Sequence, residues 1–91
     1  MTDKPIGMII EDDPQQSEIF SYAIQQAGYV VVTCADGEAA LELLEAKEPY
    51  LVVLDLNLPN VSGDKILKFI RSHSNLAETK VILATANPRQ T

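Results

Sequence analysis

Short apolar segments alternate along this chain with segments of helical periodicity. Apolar or β-branched runs span residues 6–10, 29–35, 51–54 and 80–85. Runs of this length without polar interruption are typical of strands that are buried on both faces. Between them, apolar side chains recur three and four residues apart, as in amphipathic helices. This alternation predicts βαβ units, and therefore a parallel sheet with helices on both faces.

Capping residues predict where the helices lie. Asp13 and the proline after it are typical of a helix start, and Gly28 lies where a left-handed cap ends one, so we expect the first helix over about Pro14–Ala27. Asp36 is expected to cap a second helix that ends before Pro49. A third helix is expected after Gly63, fading by Ser74, with an apolar stripe of Ile66, Leu67, Phe69 and Ile70.

Composition and charge exclude several classes of protein. The net charge of -6 arises from 13 acidic residues against seven Lys and Arg, without a basic stripe, so direct binding of nucleic acid is not expected. The apolar runs are far shorter than the roughly 20 residues that a membrane span requires. The start of the chain carries no secretion signal, and we expect a cytoplasmic protein.

Acidic residues follow two of the predicted strands. Glu11 and Asp12 end the first, and Asp55 ends the third. If those strands are neighbours, the three carboxylates meet at the carboxyl edge of the sheet, where open α/β sheets bind ligands. Clustered carboxylates repel one another unless a cation neutralises them, and magnesium prefers oxygen ligands of this kind. The pattern predicts a magnesium site.

A carboxylate in such a site can also act as a nucleophile and form an acyl phosphate. Thr85, which ends the fourth predicted strand beside the third, could then donate its hydroxyl to a phosphoryl oxygen. The alternative is that acids after strands only cap helices, and we assign Asp13 to that role. Spacing alone leaves both interpretations open for Asp55.

Three motifs follow one another along the chain: Met8–Pro14, Leu51–Gly63 and Val81–Ala86. Together they resemble the receiver domain of two-component response regulators. The resemblance covers essentially all 91 residues as one receiver domain. It implies a flavodoxin-like, doubly wound α/β sheet with strand order 2-1-3-4. Receiver domains also carry a lysine on a fifth strand, which has no match here, so we expect a C-terminally incomplete domain without the fifth strand and last helices.

The resemblance also implies roles for individual residues. Asp55 matches the phosphoacceptor, Asp12 the direct metal ligand, and Glu11 the acid that holds the metal through water. The backbone carbonyl of Asn57 matches a further metal ligand. Thr85 matches the hydroxyl residue that binds the phosphoryl group and moves with the switch.

The expected function is phosphorelay signalling, in which a sensor histidine kinase or phosphotransfer protein phosphorylates Asp55 with magnesium. Such a domain has no turnover on an outside substrate, so we do not expect an enzyme. Because the lysine has no match, the alternative is a receiver-shaped interaction module without phosphotransfer. A metal-dependent phosphatase would want an acid at position 57, which is Asn. We also expect a homodimer through strand four or the uncovered sheet face.

Overall fold

In the part of the chain that the structure describes, four parallel strands form one sheet in the order β2-β1-β3-β4. They are β1 (Ile6–Ile10), β2 (Val30–Cys34), β3 (Leu51–Asp55) and β4 (Lys80–Ala84). The structure is a computed structural model that describes residues 4–58 and 60–84. Strand order and parallel pairing confirm the predicted doubly wound, flavodoxin-like sheet.

Three helices connect the strands: α1 (Pro14–Gln26), α2 (Gly37–Lys47) and α3 (Gly63–Ser72). A single 3-10 turn, Ser74–Leu76, follows α3 and was not predicted from the sequence. The side chain of Leu76, the last residue of this turn, is fully buried in the core, which explains why the chain forms a turn there before β4. No helix among the described residues is long and apolar enough to span a bilayer.

Side-chain caps begin all three helices. Asp13, Asp36 and Ser62 each accept a hydrogen bond from a backbone amide two or three residues further on, at 3.0, 3.4 and 3.2 Å respectively. Gly28 follows α1 with φ of 101°, as its predicted left-handed role requires. The second helix ends instead on Glu48 with φ of 47°, a left-handed residue that is not glycine.

The predicted second strand is one residue too long at each end. The amide of Tyr29 donates to the carbonyl of Ile24 at 3.1 Å, so this residue closes the turn after α1 instead of joining the sheet. The fourth strand was predicted to end at Thr85, which lies outside the described residues.

The two faces of the sheet are covered unequally. The face under α2 and α3 carries the larger cluster of buried side chains, which includes Met8, Ile10, Cys34, Leu44, Val52, Leu54, Ile66, Ile70 and Leu76. The face under α1 carries the smaller cluster of Ile9, Ile24, Leu51 and Val53. At the edge, Ile82 and Leu83 of β4 are each 51% exposed.

Candidate functional site

The predicted acids meet at the carboxyl edge of the sheet. Glu11 and Asp12 directly follow β1, and Asp55 is the last residue of β3. The two strands are neighbours, and the connections that follow them run to β2 on one side and β4 on the other, which opens a crevice between them. One carboxylate oxygen from each acid lies within 4.8 Å of the other two. The predicted convergence is confirmed.

Asp55 is buried in this crevice, and a hydrogen bond orients its carboxylate. Its side chain is only 4% exposed. The backbone amide of Asn57 donates to its Oδ1 atom at 3.0 Å, so the residue two positions on fixes the orientation of the carboxylate. A buried carboxylate in a fixed orientation suits a group that must present one oxygen to an incoming atom.

The surroundings of Glu11 disfavour the charged form of its carboxyl group. The amide of Asp13 donates to its Oε2 atom at 3.1 Å, whereas the buried Oε1 atom has no hydrogen-bond partner among the described residues. The pKa of Glu11 is raised from 4.5 to about 7. Burial is the main cause; the carboxylates of Asp55 and Asp12 add to it, and the Asp13 amide partly offsets it.

A magnesium ion fits this arrangement. Oxygens bound to one octahedral magnesium lie about 3.0 Å apart when adjacent and about 4.2 Å apart when opposite, because each bond measures about 2.1 Å. The cluster oxygens, within 4.8 Å of one another, need only small side-chain movements to reach this geometry. The unpartnered Oε1 atom of Glu11 would also gain a partner, either the ion or one of its waters.

The remaining predicted residues divide into three groups. Asn57 lies beside the cluster, with its amide on Asp55. Asp13 is a helix cap, as predicted, and is not one of the three clustered acids. Thr85 lies outside the described residues, as do Pro59 of the second receiver-like motif and Ala86 of the third.

The loop between β3 and α3 is closed tightly at its far end. A Cβ atom added to Gly63 would lie 2.6 Å from the Cα of Leu56 and 2.9 Å from the carbonyl oxygen of Asp55. Both are backbone atoms, which cannot turn aside as a side chain can. Only glycine allows the start of α3 to lie this close to the residue after Asp55.

One contact near the site was missed from the sequence. Asn60 donates from Nδ2 to Oδ1 of Asp36 at 2.8 Å. Asp36 had been assigned to helix capping alone, and the two residues lie 24 positions apart in the sequence, without a local signal that they meet. A short polar side chain in the loop after a phosphoacceptor candidate was the only hint available.

The sequence of this chain is similar to a known family and to named proteins of that family. The response regulator receiver domain family matches residues 8–91. The polar-differentiation response regulator DivK of Brucella anthropi is 33% identical over 79 residues, which cover 87% of this chain and 64% of that protein. Hybrid signal transduction histidine kinase D of Dictyostelium discoideum is 32% identical over 83 residues, which cover 91% of this chain and 5% of that protein. The chain thus spans less than two thirds of either relative.

Solved structures agree with the sequence relatives. The receiver domain of a sensor histidine kinase from Pseudomonas aeruginosa superposes with a TM-score of 0.84 at 26% identity, and the match covers 97% of this chain and 72% of that one. That receiver holds a magnesium ion coordinated in its active site cleft. Family match, strand order and the position of the acidic cluster lead to one conclusion: this chain belongs to the response regulator receiver domain family.

Proposed function

We propose that this domain acts in a phosphorelay, in which Asp55 accepts a phosphoryl group from the phosphohistidine of a sensor histidine kinase or a phosphotransfer protein. The observation that carries the proposal is the meeting of Glu11, Asp12 and Asp55 within 4.8 Å at the carboxyl edge of the sheet. Under this proposal the protein is a signalling component that is itself modified, without turnover on an outside substrate.

The transfer forms one bond and breaks one. A carboxylate oxygen of Asp55 attacks the phosphorus atom, the phosphorus–nitrogen bond breaks, and its electron pair stays on the donor imidazole, which then takes up a proton. The Asn57 amide holds the carboxylate in place throughout. Glu11 and Asp12 would hold magnesium with Asp55. A bound magnesium ion supplies positive charge that offsets the charge on the phosphoryl oxygens.

Thr85 completes the proposed machinery by resemblance. In the sequence it directly follows Ala84, the residue of β4 that pairs with Asp55. A hydroxyl there would donate to a phosphoryl oxygen and couple phosphorylation to a change of conformation. We place the domain in the cytoplasm, where such kinases present their phosphohistidines.

Mass spectrometry after incubation with acetyl phosphate and magnesium tests the proposal. We expect one added phosphoryl group on the wild-type chain and none on Asp55→Asn, because an amide is not a nucleophile. Asp13→Asn is the matched control, since asparagine also caps helices and Asp13 lies outside the cluster; this variant should keep the modification. An adduct on Asp55→Asn would show that another residue is the acceptor.

The same experiment separates phosphotransfer from the alternative function. A receiver-shaped module that only binds partners would gain no phosphoryl group from acetyl phosphate. It would also fail to bind beryllofluoride, which mimics the acyl phosphate and requires the same carboxylate and metal. The meeting of Glu11 with Asp12 and Asp55 favours phosphotransfer, because carboxylates this close together disfavour one another's charge unless a bound cation offsets it.

A further inference from the structure

The loop that leaves Asp55 rests on the start of α2. Asn60 donates from Nδ2 to Oδ1 of Asp36 at 2.8 Å. The other oxygen of the same carboxylate, Oδ2, accepts from the amide of Ala39 at 3.4 Å in the first turn of the helix. The Asp36 side chain therefore joins the loop to the helix, with each oxygen serving one of them.

A second contact lies one residue further along both segments. A Cβ atom added to Gly37 would lie 2.6 Å from the Cβ of Val61 and 3.1 Å from the Val61 carbonyl oxygen. Val61 is itself buried in the larger core cluster. The loop therefore lies against the helix start without room for a side chain at position 37.

Residues 34–37, which contact this loop, also contact Glu11 on the other side of the crevice. The carbonyl of Cys34 accepts from the amide of Glu11 at 2.9 Å, and the Cys34 thiol donates to the carbonyl of Asp36 at 3.1 Å. Residues 34–37 thus contact Glu11 on one side and Asn60 on the other. A shift of residues 34–37 would therefore change the distance between Glu11 and the loop that follows Asp55.

We propose that Asp36 and Asn60 are positioning residues of the phosphorylation site. Their hydrogen bond places the loop that carries Asn57, and so sets how well the site binds magnesium and how fast Asp55 is phosphorylated. This inference rests on the proposed function of Asp55. It assigns to the helix cap at position 36 a second task that capping alone does not require.

The pKa of Asp36 shows whether the hydrogen bond from Asn60 forms in solution. The hydrogen bond from Asn60 is the main reason why the pKa of Asp36 lies below its usual value; the Ala39 amide adds to it. In Asn60→Ala the pKa of this carboxyl group should rise, which carbon NMR of the side chain measures directly. An unchanged pKa would mean that the bond does not form in solution, and the proposal would fail.

An exchange of the two side-chain types tests whether the bond acts on the site. Asn60→Asp places two carboxylates face to face and breaks the bond. Asp36→Asn keeps both the helix cap and the pairing, because the Asn60 amide can rotate to present its oxygen. The double variant Asp36→Asn with Asn60→Asp restores a donor, an acceptor and the original net charge.

We expect Asn60→Asp to raise the magnesium dissociation constant about tenfold, as substitutions that contact no ligand can do when they act through packed neighbours, and to slow phosphorylation by acetyl phosphate similarly. Asp36→Asn and the double variant should return to within about twofold of wild type. The added charge of Asn60→Asp would by itself strengthen magnesium binding, so a weakening must come from geometry.

The outcomes separate this inference from the proposed function. If the wild-type chain neither binds magnesium nor accepts a phosphoryl group, the proposed function is wrong. If the wild type does both and Asn60→Asp matches it, or if the double variant stays as weak as Asn60→Asp, the positioning role is wrong. Thermal unfolding of each variant shows that the protein is folded at the temperature of the assay.

Discussion

At the scale of single residues, the chain keeps an acid where burial disfavours its charge. Glu11 is 4% exposed, and its pKa is raised to about 7. Helix caps such as Asp13 are different, because they stabilise the fold wherever they occur. A buried acid that weakens the metal-free protein is understandable when a bound cation offsets the cost.

The metal-free protein should become less stable as the pH rises. Between pH 4.5 and about 7 the folded state binds a proton at Glu11 that the unfolded state has released, so the free energy of unfolding falls across this range. The loss amounts to at most about 3 kcal/mol. Urea unfolding with a chelator at several pH values measures it, and Glu11→Gln should remove this part of the slope. A parallel slope in the variant would contradict the prediction.

Magnesium affinity should depend on pH in the opposite direction and increase as the pH rises. Binding favours the charged form of Glu11, so the apparent affinity should weaken as the pH falls below about 7. An NMR titration should move amides near Glu11, Asp12 and Asn57. Asp12→Asn should weaken binding, whereas Asp64→Asn, an exposed acid in the first turn of α3, should leave it unchanged. Equal effects of the two variants would argue for diffuse attraction by the acidic surface.

At the scale of elements, local chemistry made most of the fold predictable. The cap at Asp13 and the glycine at position 28 placed α1 to within one residue. The 3-10 turn was missed because its reason, the burial of Leu76, depends on α2 and α3 being in place. The left-handed end of α2 at Glu48 was equally invisible, because no glycine marks it.

The residues at and near the site also divide into those that the sequence predicts and those that it does not. Glu11, Asp12 and Asp55 could be predicted because an acid at the end of a buried strand needs no long-range information beyond the strand order. The bond between Asp36 and Asn60 could not, since it joins two loops that only the assembled sheet brings together. Long-range packing decides such contacts, and a single sequence carries no local sign of them.

The junction between β3 and α3 offers a prediction at this scale. Gly63→Ala should destabilise the protein by about 1–3 kcal/mol, because the new methyl group meets backbone atoms at 2.6 Å. It should also slow phosphorylation of Asp55, whose carbonyl oxygen is one of those atoms. Chemical unfolding and the acetyl phosphate assay measure the two effects.

A matched control for this variant is Gly28→Ala. Its methyl group meets nothing within 4 Å, but the residue has φ of 101°, so the variant is strained and should also lose stability. It lies at the end of α1, which leads away from the crevice, and phosphorylation should stay as in wild type. Loss of phosphorylation in both variants would point to stability as the cause.

At the scale of the whole molecule, an edge of the sheet exposes large apolar side chains. On β4, Ile82 and Leu83 are each 51% exposed and point to opposite faces of the sheet. Ile82 pairs in register with Val53, so it lies on the face under α1. Ile19 of that helix is itself 59% exposed. Apolar side chains at a strand edge favour pairing with another chain.

We therefore expect the 91-residue chain to self-associate through β4 as its concentration rises. Light scattering coupled to size exclusion should show a mass that grows with concentration, and Ile82→Lys should shift the chain toward monomer, because a charge on the strand edge opposes pairing. Val30→Lys provides the matched control, since Val30 is 47% exposed on β2, the other edge of the sheet. If Val30→Lys dissociates the chains and Ile82→Lys does not, they join through β2. A monomer at every concentration would show that the exposed side chains of β4 do not drive association.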